Sequence, residues 1–261
     1  MRLVCSLLRE LDCFTDQFTR ETSSVTTTNA TTTAAGPTAA SAAPRRIRRL
    51  SERQTTDRDA LFELLDTELV GHLAAVVGGR PVVVPMAYAR DGEHVLVHGS
   101  TGGGFALRAA AERATVAFAV TALDGLVFAR SLFDSSMNYR SAVAYGVLEP
   151  VSDEAADAAL LALSARLMPG RPDEVRPITR KESAATRVLR LPLDDFVMKV
   201  RAAGASEDPD DGEDHSVWAG VVPFERRWGT PVPSALTSSG TPVPESVRAL
   251  TTAHVPLDRL L

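Results

Sequence analysis

Three short segments of this chain carry residue types that can do chemistry. The first runs from His94 to Ala110, HVLVHGSTGGGFALRAA. An alternating apolar run ends in His98, Gly99, Ser100 and Thr101. Gly102, Gly103 and Gly104 follow, and then a helix-like stretch that contains Arg108. Backbone N–H groups, two hydroxyls and a helix start can coordinate an oxyanion, so this is a candidate phosphate site. An ordinary polar loop is the competing reading. The glycines are consecutive, which departs from the G-x-G-x-x-G spacing of a dinucleotide fingerprint. No lysine follows them in the pattern of a P-loop.

The second segment is SMNYRSAVAYG, Ser136 to Gly146. Arg140 and Ser141 open a strand of apolar and small residues. An arginine there can grip phosphate or carboxylate with two parallel hydrogen bonds, or pair with a surface acid. The third is DDFVMKVR, with Lys199 and Arg201 two residues apart, followed after an acidic run by VWAGVVP. Trp218 in that motif can pack on a planar ring or in the core. His72, in LVGHLAAVV, shares strand parity with Val70 and Ala74 and is read as an interior histidine. No His-x-x-x-His or carboxylate cluster suggests a metal, and no G-x-S-x-G suggests a serine hydrolase.

These segments need elements to hold them. DALFELLDT (59–67) has helical periodicity, with a capping box expected at Thr56 and Asp59. Runs 69–77, 81–89 and 93–99 read as strands. Gly78-Gly79 and Asp91-Gly92 are hairpin pairs, so the three should form an antiparallel meander. Pro85 marks the middle run as an edge or a bulge. Residues 105–113 read as a short helix, and 114–122, 125–131, 139–151 and 186–193 as further strands. Asp153 is read as the cap of a longer helix that stops at Pro169-Gly170. The pattern is α+β: a small split β-barrel of six to seven mainly antiparallel strands with peripheral helices.

The chain has 261 residues, 44% hydrophobic and 23% charged, with a formal charge of −5. No global basic field suggests a nucleic-acid partner. No apolar run reaches the roughly 18 residues of a membrane helix. Both cysteines, Cys5 and Cys13, lie near the N-terminus, which leaves no disulfide framework and makes a cytoplasmic location the default. In residues 22–43, eighteen of 22 are Thr, Ala or Ser. Too few large apolar groups offset the entropy of ordering, so 1–43 reads as a disordered extension. Val25 is read as a GTG initiator and 1–24 as untranslated leader; an intact mass beginning at Met1 rejects this. Residues 44–223 form the expected domain and 224–261 a Pro-rich C-terminal segment. Residues 207–214 hold six acids in eight positions and read as a solvated loop.

The order VVVPMAYARDGEHVLVHGSTGG, LDGLVFARSLFDSSMNYRSAVAYGVLEPV, LSARLMPGRPDEVRPIT, LPLDDFVMKVR, VWAGVVP resembles the pyridoxamine 5′-phosphate oxidase-related flavoproteins of the FMN-binding split-barrel fold. The branch it is most similar to is the flavin-nucleotide-binding proteins, kin to the 5-nitroimidazole reductases. The resemblance spans about Pro44 to Pro223. It implies a homodimer with FMN at the subunit interface. Val83, Val84, Pro85 and Met86 match the strand that runs along the flavin. His98, Gly99, Ser100 and Thr101 match the segment near flavin and phosphate. Arg140 and Ser141 match the YRS motif, and Lys199, Arg201 and Trp218 the C-terminal signature. In the nitroimidazole reductase-like relatives a histidine at the position of His98 lies against the flavin site. His98 is thus a candidate proton donor or substrate contact.

One departure stands out. Many relatives carry a basic residue just after His-Gly-Ser, where this chain has Gly102-Gly103-Gly104-Phe105. Arg108 is the nearest replacement. The residues that bind vitamin B6 in true oxidases are not recognisable, so that activity is not expected. The implied function is an FMN-dependent oxidoreductase that reduces a small aromatic, nitro or quinone-like acceptor. Alternatives are a non-catalytic flavin-binding or sensing protein, and a split barrel for deazaflavin F420 or haem.

Overall fold

The structure is a computed structural model that describes residues 45–102, 104–206 and 216–252. The 1–43 extension, the acidic run 207–214 and Gly103 lie outside the described residues.

The first helix, α1 (Arg58–Thr67), starts at Asp57, whose carboxylate accepts from the Asp59 N–H at 2.9 Å. The expected cap at Thr56 is therefore displaced by one residue, to the side chain that reaches the N–H two positions on. Leu61, Leu64 and Leu65 form the apolar stripe of α1, and all three are buried.

Two antiparallel sheets follow. The larger contains β1 (Gln54–Thr55), β2 (Val70–Val77), β3 (Arg80–Ala87), β6 (Thr115–Phe128), β7 (Ser136–Val147), β10 (Asp195–Arg201) and β11 (Gly220–Pro223). Its order is β1-β10-β7-β6-β2-β3, with β11 beside the far half of β6. The smaller contains β4 (Ala89–Asp91), β5 (His94–Ser100), β8 (Glu149–Pro150) and β9 (Thr186–Pro192), in the order β4-β5-β9-β8. Among the described residues no strand pairing joins the two sheets, so the barrel is split rather than closed. The helices α2 (Phe105–Ala111), α3 (Asp153–Leu167), α4 (Arg171–Glu174), α5 (Arg180–Ala184) and α6 (Glu245–Thr252) surround them. This is the α+β split-barrel architecture that the pattern of elements implies.

Several expectations change in detail. The meander breaks at Tyr88. β2 and β3 form a hairpin through Gly78 and Gly79, both at positive φ, but the chain then enters the smaller sheet as β4. Runs 114–122 and 125–131 largely merge into one strand, β6, with a register shift between Leu123 and Gly125. The unpaired residue of this bulge is Asp124. Ser152, not Asp153, is the N-cap of α3. Pro85 does lie on an edge strand, as its missing N–H requires. His72 is a correction. It is exposed on the outer face of the larger sheet, because the inward parity of β2 belongs to Gly71, Leu73 and Ala75.

The core lies between the sheets. Leu73, Val84, Phe118, Val120, Ala142 and Met198 of the larger sheet meet Val95, Val97, Leu189 and Leu191 of the smaller. A second cluster, Ala89, Leu96 and Val188 with Ala159 and Leu163, seats α3 on the other face of the smaller sheet. The Tyr88 phenol donates to the Leu65 carbonyl at 2.8 Å, and its burial raises its pKa. The C-terminal segment is tied to this body. The guanidinium of Arg226 pairs with the buried carboxylate of Glu68, one contact being Nη1 to Oε2 at 2.8 Å. Ser246 of α6 donates to Glu174 through its N–H at 2.9 Å and its hydroxyl at 2.6 Å.

Candidate functional site

The strand β5 delivers the His-Gly-Ser-Thr segment to the edge of the core. Its pairing with β9 continues to Ser100, opposite Thr186. The Ser100 hydroxyl then accepts from the Gly102 N–H at 3.2 Å. Thr101 stays exposed, and its N–H and its hydroxyl both donate to the Ala185 carbonyl, at 3.2 and 3.3 Å. Gly99 faces open space, with no heavy atom within 4 Å of where a Cβ would stand.

Arg108 lies one turn into α2, which packs against β2, β5 and β9. Its Nε is buried and has no hydrogen-bond partner among the described residues. A buried guanidinium N–H without an acceptor costs about 1–3 kcal/mol unless a ligand oxygen meets it. The Arg108 backbone N–H donates to the Gly104 carbonyl at 3.1 Å, so a cationic residue stands one helical turn from Gly104, although the residue directly after His-Gly-Ser is not basic.

His98 sits differently from its neighbours. Successive side chains on a strand point to opposite faces. His98 pairs with Val188 and shares a face with Leu96, under α3, whereas Val97 points into the main core. Its Nδ1 is buried without a partner, and burial lowers its pKa. The imidazole is therefore held neutral at neutral pH, with one ring nitrogen to donate and one to accept. The folded pKa lies below the unfolded value of about 6.5, so stability present above that pH is lost as pH falls through the folded value. Thermal unfolding midpoints should thus decline below about pH 6.5, with a shallower decline in His98→Gln; equal slopes in the two proteins would reject the assignment.

The other expected site residues divide between two environments. Val84 and Met86 are core residues, whereas Val83 and Pro85 look outward from β3. Ser141 and Lys199 are paired across β7 and β10. The Ser141 hydroxyl meets that of Thr121 at 3.2 Å, and Lys199 Nζ donates to the Arg49 carbonyl at 3.1 Å. Arg201 is buried and bound to Asn138 Oδ1 at 2.5 Å and to the carbonyls of Ala203 and Gly204 at 3.0 Å. Trp218 is exposed and leans on Phe128 with ring centroids 6.0 Å apart. Arg140 already has a carboxylate: Nε and Nη2 donate to the two oxygens of Asp124 at 3.1 and 3.0 Å. Asp124 was not singled out in the sequence. The signal was there, since an acid beside a glycine between two strand-like runs marks a bulge.

The outer face of the larger sheet is strongly apolar. One row across it reads Pro85, His72, Ala119, Val143 and Val197, and the next Val83, Ala74, Ala117, Tyr145 and Asp195. Val76 and Val83 are each 60% exposed. The loop between β6 and β7 adds Leu132 and Phe133, 93% and 96% exposed. That loop is held by Ser131 and Ser135: the Ser135 hydroxyl accepts from the Ala129 N–H at 3.1 Å, and Ser131 Oγ donates to Asp134 Oδ2 at 2.5 Å. Among the described residues no group of three or more His, Cys, Asp or Glu could hold a metal ion, and no helix is long and apolar enough to cross a membrane.

Two antiparallel sheets that pack face to face without a closing strand pair define the class: an α+β split-barrel protein. The chain belongs to the pyridoxamine 5′-phosphate oxidase family, whose model matches residues 57–200. Two solved structures are similar over most of their length. One is the FAD and haem binding protein from Mycobacterium smegmatis, 43% identical, with 76% of this chain and 97% of that chain covered and a TM-score of 0.72. The other is the flavocytochrome Anf3 from Azotobacter vinelandii, 31% identical, with 78% and 94% covered and a TM-score of 0.72. No curated protein matches the chain.

Proposed function

We propose that this chain is a flavoprotein whose flavin is FAD rather than the FMN implied by the sequence resemblance, and that it works as an oxidoreductase. The observation that carries the reading is Arg108 Nε, a buried donor without an acceptor, one helical turn from Gly104, where an added Cβ would meet no heavy atom within 4 Å. A pyrophosphate oxygen is the natural acceptor for that N–H. The choice of FAD is supported by the Mycobacterium smegmatis relative, which is described as binding FAD and haem. The flavin supplies the electron or hydride transfer; the protein's part is to orient it along the Val83–Met86 edge and to admit a small aromatic, nitro or quinone-like acceptor. The exposed Leu132–Phe133 loop supplies a surface for a homodimer, whose sedimentation as a monomer at micromolar concentration would reject that part.

A second cofactor is part of the proposal. Both similar structures belong to proteins whose descriptions include haem or a cytochrome, and the chain is proposed to bind haem as well.

The test is an absorption spectrum of the purified protein and the mass of whatever a denaturant releases. FAD at one per chain supports the reading; released FMN returns the cofactor to the sequence expectation. A colourless protein that takes up neither flavin rejects it. Arg108→Ala should weaken flavin binding by about 10- to 100-fold, the worth of one charge-assisted hydrogen bond. Steady turnover of an acceptor with a reduced nicotinamide separates an enzyme from a non-catalytic flavin carrier.

A further inference from the structure

We infer that His72 is an axial ligand of the haem, which would lie flat against the outer face of the larger sheet; the inference rests on the haem reading above. His72 stands on β2, between Pro85 of β3 and Ala119 of β6. It is exposed, and no hydrogen bond or ion pair to its imidazole is found among the described residues. A histidine in the middle of an apolar surface is costly to cover unless its nitrogen gains a partner. Iron is such a partner, taking the lone pair of a neutral imidazole.

The surroundings fit a porphyrin. Strand side chains stand roughly perpendicular to the sheet, so the imidazole points straight out of the face. Ala74, Ala117 and Ala119 beside it carry only methyl groups, which leaves the ring clear. Val76 and Val83, on the same face, are each 60% exposed and add apolar surface beside it. The haem carboxylates need a cation at the rim. Arg45 lies over the ring of Tyr145 at 3.6 Å, near the far end of the row that starts with Val83; its Nε also donates to the Asp195 carboxylate at 3.1 Å, a partner that a haem carboxylate would replace.

The other described histidines lack these features. His98 is on the face packed under α3. His94 opens β5 in the smaller sheet, paired with Asp91 and Pro192.

The experiment uses the full chain, stripped of cofactors and then titrated with hemin and FAD. The readouts are the Soret band, the electron paramagnetic resonance of the ferric iron, and flavin content. The wild type should take one haem per chain. His72→Ala should bind hemin about 10-fold more weakly or worse and lose the imidazole signature, with flavin content unchanged. Free imidazole should restore the signature in His72→Gly. An unchanged Soret band and resonance in His72→Ala would overturn the ligand assignment while leaving haem binding intact. A wild type that takes FAD but no haem would overturn both, and would leave the face to a second copy of the chain.

Discussion

Asp124→Ala should lower the free energy of unfolding by about 3–5 kcal/mol, among the largest single-residue effects in this protein. The carboxylate and the Arg140 guanidinium are 9% and 14% exposed, and two parallel hydrogen bonds join them. Removing one partner leaves the other charge mostly out of water with nothing to compensate it. The pair has a second task. Asp124 is the residue that the bulge in β6 pushes out of register, and its carbonyl accepts from the Phe224 N–H at 3.0 Å. Urea unfolding of Asp124→Ala, Arg140→Met and the double variant measures this. The double variant should be less damaged than the two single losses added together, because no orphan charge remains. Strict additivity would mean that the pair is not coupled. The same cycle bears on the YRS resemblance, since an arginine that already has two hydrogen bonds to a carboxylate is a weaker candidate for a phosphate contact than Arg108.

Gly71→Ala should cost about 3 kcal/mol by overpacking. An added Cβ would stand 2.1 Å from Cζ of Phe118 and under 3 Å from both neighbouring ring carbons. The ring has little freedom to retreat. It is buried, and Tyr88 meets it edge-on with centroids 5.2 Å apart, while the Tyr88 hydroxyl is fastened to Leu65. Phe118→Leu in the Gly71→Ala background should recover part of the loss by vacating that space, as read from thermal midpoints. An alanine variant that melts with the wild type would show that β2 and β6 can part at no cost.

Much of this architecture was readable from local chemistry. Gly78-Gly79 marks a two-residue hairpin because both positions require positive φ. Pro85 marks an edge. The alternation in HVLVH marks a strand with Val95 and Val97 on one face. The failures share a physical origin. Alternation assigns residues to opposite faces without saying which face is inside. In β2 both sets are apolar, Val70, Ala74 and Val76 outside and Leu73 and Ala75 inside, so His72 was assigned to the wrong side. The passage of the chain from β3 to β4 at Tyr88 moves it from one sheet to the other, a tertiary event that no hairpin signal encodes. At the candidate site, the loop with Ser100 and Thr101 was visible as a sequence of small polar residues. The orphaned Nε of Arg108 was not, because it depends on what α2 packs against. The Asp124 partner of Arg140 lay only 16 residues away, but it becomes apparent only once β6 is known to continue through its bulge.

Glu68 and Arg226 give the molecule an order in time. They are 158 residues apart, and the carboxylate sits at the end of α1, where Arg166 also donates to the Glu68 carbonyl at 3.0 Å. On a ribosome, every strand from β1 to β10 precedes the guanidinium that Glu68 requires. Contacts of such long sequence separation are closed after the local ones and slow the approach to the native state. The C-terminal run acts as a clasp: the buried carboxylate of Glu68 gains the Arg226 counter-charge only after all eleven strands of the described residues have been made, and the docking of Ser246 on Glu174 follows.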